Sequence, residues 1–307
     1  MSLSPAHMGE DSSLPFETRL KSIAEDLNPI LDAVLPLPEG RERRVMEAMR
    51  YTALDGGKRL RPFLTVSSAD LFGVPRDRSL RAGAAVELVH CYSLVHDDLP
   101  AMDDDDLRRG RPTCHKAYDE ATAILAGDGL LTQAFAVLAA PETHPDGAVR
   151  VNLVAALAQA AGACGMVGGQ MIDLIAETTS LTPDEVEHLQ HLKTGHLLAV
   201  ACELGAIVGE ADHGARKALS AFGLCLGAAF QIADDLLDLE ASAEDIGKAT
   251  GKDIGAGKAT FVSLHGADRA RTQAKSLVDQ AVAALDGFGP NGDPLRDAAA
   301  FAIERRH

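Results

Sequence analysis

The sequence predicts an all-α protein. Three observations point there: runs rich in Ala, Leu and Glu succeed one another almost without break, strand-like alternation of Val, Ile and Thr does not recur, and the punctuation between runs is Gly and Pro. At 307 residues the chain is long enough to bury a substantial core. No composition shift suggests a linker, so one domain over residues 15–307 is expected, after a polar, Ser-rich stretch over 1–14 expected to be disordered.

The elements follow in order. Phe16 to Val34 has helical spacing, and Arg41 to Leu54 follows the break at Leu35 to Gly40. Asp55-Gly56-Gly57-Lys58-Arg59-Leu60-Arg61-Pro62 is a glycine-permitted turn with three cations in four residues and a proline suited to a helix's first turn. It is either a solvated basic turn or an anion site at a helix start. Arg78 to Asp98 reads as one long helix, and Tyr118 to Ala140 and Ala148 to Met166 as two more. The glycines of Gly165 to Gln170 suit close packing, approach to a ligand, or a simple loop. Thr182-Pro183-Asp184-Glu185 has the form of a capping box, and the helix it opens carries Lys193-Thr194-Gly195, where a kink is possible. Gly223 to Glu240, Asp268 to Leu285 and Pro294 to Arg305 complete the helices, with a Gly-rich basic flap over Gly247 to Thr260.

The chemistry concentrates between Glu87 and Arg111. Asp97, Asp98 and Asp103 to Asp106 place six aspartates in ten residues, and Pro100 puts the first pair near a helix C-terminus, which is already partly negative. Carboxylates crowded there call for a cation. Magnesium, which takes carboxylate, phosphate and water oxygens, suits them, and Arg108, Arg109 and Arg111 just downstream suit a diphosphate ester. Glu87, His90 and Asp97 lie at i, i+3 and i+10 on one helix face, so His90 is either a hydrogen-bonded core residue or a ligand contact; His96 and His115 lack that alignment and read as structural. A second acidic set, Asp234, Asp235 and Asp238, crowds one face of an apolar helix, a repulsion that a metal would relieve.

Composition narrows the classes. A net charge of −16 and only 4% aromatics argue against a nucleic-acid groove. Cys91, Cys114, Cys164, Cys202 and Cys225 are widely spaced and read as reduced thiols of a cytoplasmic protein. With no basic and apolar leader and no long uncharged apolar run, neither secretion nor a membrane span is expected.

Taken together, Gly56 to Pro62, Asp97-Asp98-Leu99-Pro100-Ala101-Met102-Asp103 with Arg108-Arg109-Gly110, Lys193-Thr194-Gly195, and Phe230-Gln231-Ile232-Ala233-Asp234-Asp235-Leu236-Leu237-Asp238 resemble the trans-polyprenyl diphosphate synthases in type and order. The bacterial short-chain farnesyl and geranylgeranyl types are nearest. The resemblance implies a helical bundle around a deep central cavity, a homodimer, and two aspartate motifs facing each other across the cavity mouth. It implies that Asp97, Asp98, Asp103, Asp234 and Asp238 hold Mg²⁺ on an allylic diphosphate, which Arg108, Lys193, Lys248 and Lys258 also grip. Lys58, Arg61, His90 and Arg109 would take isopentenyl diphosphate, and Thr194 and Gln231 would lie along the allylic chain. Tyr92, five residues and about 7.5 Å before Asp97, marks chain length, and with the two-residue insertion in the first motif it suggests a farnesyl product. A geranylgeranyl product is the alternative. A non-catalytic isoprenoid-binding subunit would have lost an aspartate or lysine of these sets, and none is missing.

Overall fold

The computed structural model describes residues 14–244 and 260–304. The N-terminal stretch expected to be disordered falls, but for residue 14, outside the described residues, as does the flap before Thr260 with Lys248 and Lys258. The chain forms two compact units. One takes the chain up to Leu157 together with Leu204–Ala211; the other takes Ala158–Glu203 and the chain from Asp212 onward.

In the first unit, α1 (Phe16–Val34), α2 (Arg43–Ala53), α3 (Leu60–Asp70), α4 (Arg76–Asp97), α5 (Cys114–Ala117) and α6 (Glu120–Ala139) pack around α4, which touches α1, α2, α3 and α6. Burial runs round the whole circumference of α4, through Leu80, Ala84, Val86, Leu88, Val89 and Val95. A helix buried on all sides belongs at the centre of a unit. Asp119 caps α6 by accepting from the Thr122 amide, and Phe16 meets Phe63 edge to face at 5.0 Å, joining α1 to α3.

Then come α7 (Gly147–Ala161), α8 (Met166–Ala176), α9 (Pro183–Gln190), α10 (His196–Val208), α11 (His213–Glu244), α12 (Phe261–His265), α13 (Ala267–Ala284) and α14 (Asp293–Glu304). In the second unit α11 is the spine, carrying α13 and α14 along its length. Ile232 packs with Val262, Ala270 and Ala274.

Local features differ from the sequence reading, beginning with α11, expected from Gly223 but starting at His213. The helix expected over Ala148 to Met166 stops at Ala161, and α8 restarts at Met166 and runs straight through Gly168 and Gly169. The kink expected at Lys193-Thr194-Gly195 is a π-helical turn over His191–Gly195, entered from α9, whose capping box has the expected partners Thr182 and Glu185. Among the described residues strand occurs only as a two-residue antiparallel pair, β1 (Leu107–Arg108) with β2 (Arg111–Pro112), which the sequence did not announce. Finally, Glu120–Ala139, Gly147–Ala176 and His213–Leu239 are long and apolar enough to cross a membrane by length and composition alone, where the sequence suggests no long uncharged apolar run.

Candidate active site

One cluster grows from the end of α4. Past Asp97 the chain turns back, the Asp103 amide bonding the Asp97 carbonyl at 2.8 Å, which stacks the acidic loop on the helix terminus. Asp98 is turned inward and is 3% exposed. Arg108 reaches it with Nε at 3.0 Å and with Nη2, both on Oδ1, and Nη2 also meets Asp105 at 3.4 Å. Burial pushes the Asp98 carboxyl above its usual range, against the pull of the Arg108 hydrogen bond and charge. Asp97 is half-buried and Asp103 exposed.

The short hairpin aims the arginines. Its turn residues Arg109 and Gly110 have φ of 53° and 77°, both positive, as a tight hairpin of this twist requires. Arg108 on β1 therefore faces the acidic loop. Arg109, at the tip, donates to the Gly56 carbonyl at 2.8 Å, and Arg111 on β2 pairs with Asp55 and lies over the Tyr51 ring at 4.3 Å. Gly57, at φ +105°, leaves room for this: a Cβ there would stand 2.7 Å from the Arg109 guanidinium. The hairpin and the basic turn are thus clasped at two points.

Within the basic turn the cations divide. Arg59, left-handed at φ 53°, points into the protein, where it bonds Glu87 at 2.7 Å and the Ala53 carbonyl at 2.7 Å. Lys58 is exposed and Arg61 half-buried. Glu87, which the sequence set on one face with His90 and Asp97, is thereby taken up as a buried counter-ion. His90 stands among cations: burial first, then the charges of Arg61, Arg109, Arg59 and Arg108, hold its imidazole well below the usual value and so neutral. Tyr92 is buried, edge-on to His96 at 5.6 Å, and His96 contacts the Ile124 carbonyl at 3.1 Å. His115 is buried against Thr113.

A second cluster lies around the π-turn. Lys193 Nζ is 2.6 Å from Asp173 Oδ2, on α8. Thr194 donates to Gln231 Oε1 at 3.0 Å, Gln231 donates to Asp235 Oδ1 at 3.2 Å, and Gln190 donates to Asp235 Oδ2 at 3.2 Å. Asp235 faces inward, and burial pushes its carboxyl up to about 6 despite the Gln231 and Phe261 hydrogen bonds. Asp234 is half-buried and Asp238, one turn on, is exposed. Among the described residues no three acidic, histidine or cysteine side chains stand close enough to cage a metal by themselves. The donor set is nonetheless one of hard carboxylate oxygens, and magnesium commonly completes its shell from phosphate and water.

Asp173, Gln190, the pairing of Asp55 with Arg111 and the inward role of Arg59 carry no local signal, because each acts on a partner distant in the chain.

Apart from the short hairpin the described elements are helical, with acidic runs beside cation clusters. The family profile "Polyprenyl synthetase" matches residues 42–286, and the chain belongs to that family. It is similar to the farnesyl diphosphate synthase of Escherichia coli, 43% identical over 271 residues covering 87% of this chain and 90% of the relative. It is also similar to geranylgeranyl pyrophosphate synthase 3, chloroplastic, of Arabidopsis thaliana, 42% identical over 305 residues, 97% of this chain and 83% of the relative. Among solved structures, an FPP/GFPP synthase from Zymomonas mobilis superposes with a TM-score of 0.85 at 47% identity, covering 94% of this chain and 98% of that one.

Proposed function

We propose that this prenyltransferase condenses isopentenyl diphosphate with an allylic diphosphate to give farnesyl diphosphate, releasing pyrophosphate. The observation that carries the reading is on α4: the acidic helix end at Asp97 and the cation-ringed His90 are two turns, about 10 Å, apart along one helix. Two diphosphates side by side need such a pair of neighbouring holds, one acidic and metal-filled, one cationic.

In this reading Lys58, Arg61, His90 and Arg109 hold isopentenyl diphosphate, while Arg108, Lys193, Lys248 and Lys258 hold the allylic diphosphate. Asp97, Asp98, Asp103, Asp234 and Asp238 would hold magnesium. Magnesium, when bound, supplies Lewis-acid stabilisation of negative charge on the diphosphate oxygens. The cationic side chains stabilise the charge that builds on the departing pyrophosphate as the allylic C–O bond breaks. The alkene electrons of isopentenyl diphosphate form the new C–C bond, and the resulting cation loses a proton to the released pyrophosphate. Thr194 and Gln231, tied together, present their oxygens along the allylic chain. No protein nucleophile takes part.

Tyr92 stops the growing chain at fifteen carbons, a role supported by its burial one and a half turns before Asp97. Exposed Ile124 and Leu125 on α6 and Val151 on α7 suit an interface between two copies of the chain. Five free thiols suit the cytoplasm. The test is product analysis by mass after incubation with isopentenyl diphosphate and each of the five-, ten- and fifteen-carbon allylic primers. A farnesyl product from the shorter primers supports the reading, and a mainly twenty-carbon product assigns the geranylgeranyl alternative.

A further inference from the structure

We propose that Asp173 is a positioning residue for Lys193, fixing the lysine ammonium where it meets the departing diphosphate. The inference deepens the proposed function and rests on it. It starts from the glycines of α8. A Cβ on Gly169 would come within 2.4 Å of the Lys193 amide nitrogen and 2.7 Å of its Cα, so α8 and the π-turn touch backbone to backbone. Asp173 is one turn beyond Gly169 on the same face of α8. The packing that needs a glycine at 169 therefore delivers the carboxylate to Lys193 Nζ at 2.6 Å.

The pair is sheltered, with side chains 28% and 17% exposed, unlike an ordinary surface ion pair. A lysine has a flexible stem and three donors. Asp173 takes one donor and stills the stem, leaving two N–H groups for an anionic ligand. The π-turn completes the division of labour: Lys193 is held from α8 while its neighbour Thr194 is held from α11 by Gln231. A carboxylate this close also tempers the hold on the ground-state diphosphate. As charge grows on the leaving group the ammonium matters more, so the arrangement acts on turnover rather than on binding.

The experiment is steady-state kinetics of the full-length enzyme with the allylic substrate varied. Asp173→Asn should lower kcat by about 10- to 100-fold, as expected for a misplaced catalytic group, with the allylic KM within about twofold of the parent. Asp173→Glu should give an intermediate kcat. In a Lys193→Gln background, Asp173→Asn should cause no further loss. An unchanged kcat, losses that add in the double variant, or a kcat deficit that disappears when folded protein is quantified by its melting transition would each overturn the proposal. If the asparagine form does not fold, the glutamate form is decisive: reduced kcat at unchanged KM supports the proposal, and unchanged kcat overturns it. Absence of prenyl transfer by the unmodified enzyme would defeat the proposed function and this inference together; transfer unaffected by substitution at 173 would defeat the inference alone.

Discussion

Arg59 and Glu87 form an ion pair shut away from solvent, Nη1 to Oε1 at 2.7 Å, with the two side chains 0% and 3% exposed. The arginine reaches it from a left-handed backbone conformation at the entry to α3, between Lys58 and Arg61 in the basic turn. Removing one partner leaves a buried charge unmatched. Glu87→Ala is expected to destabilise the fold by about 3–5 kcal/mol, read as a fall in denaturation midpoint, and Glu87→Gln by less because it keeps an acceptor for the guanidinium.

Gly57→Ala should raise the KM for isopentenyl diphosphate more than it lowers stability. The added methyl would meet the Arg109 guanidinium and force an alanine into positive φ, a backbone cost of about 1–2 kcal/mol. Initial rates against isopentenyl diphosphate, beside a melting curve, separate the two effects.

His90 gives stability a pH dependence of definite sign. Its folded value lies below the ordinary 6.5, so between that value and the depressed folded one the unfolded chain takes up a proton that the folded chain refuses. This group therefore contributes no penalty above about pH 6.5 and an increasing one as pH falls. Denaturation midpoints from pH 7.5 to 5 should fall more steeply for the parent than for His90→Gln. Parallel curves would show that His90 is not the group responsible.

Tyr92→Ala should lengthen the product. The phenol is buried against His96 on the helix that ends in Asp97, and truncating it opens space along that helix. Mass analysis should show a shift from fifteen carbons toward twenty or more, and an unchanged product would remove Tyr92 from the chain-length role.

The helices were the legible part. The limits of α1 coincide with the reading because Pro15 and the Leu35 to Gly40 break bracket an unbroken helical period, and the Thr182 box is a purely local signal. The hairpin was hidden because it is two residues a side and turns on Arg109-Gly110 rather than Asn-Gly, leaving no alternating pattern to see. At the site, the residues of the acidic and basic runs could be picked out because like charges crowd in sequence. Their partners could not: Asp173 meets Lys193 across 20 positions and Gln190 meets Asp235 across 45, distances that only packing resolves. In sequence the three cations of Lys58 to Arg61 form one set, whereas in the fold the left-handed Arg59 faces inward.

The central claim is that aspartates from two stretches far apart in the chain jointly hold magnesium on one allylic diphosphate. Titration calorimetry with a non-ionising allylic diphosphate analogue, with and without Mg²⁺, tests it on the parent, Asp97→Asn and Asp234→Asn. Tight binding only with metal, lost in both variants, is the predicted result. Binding that ignores the metal, or that survives unchanged when Asp234 is replaced, would contradict it.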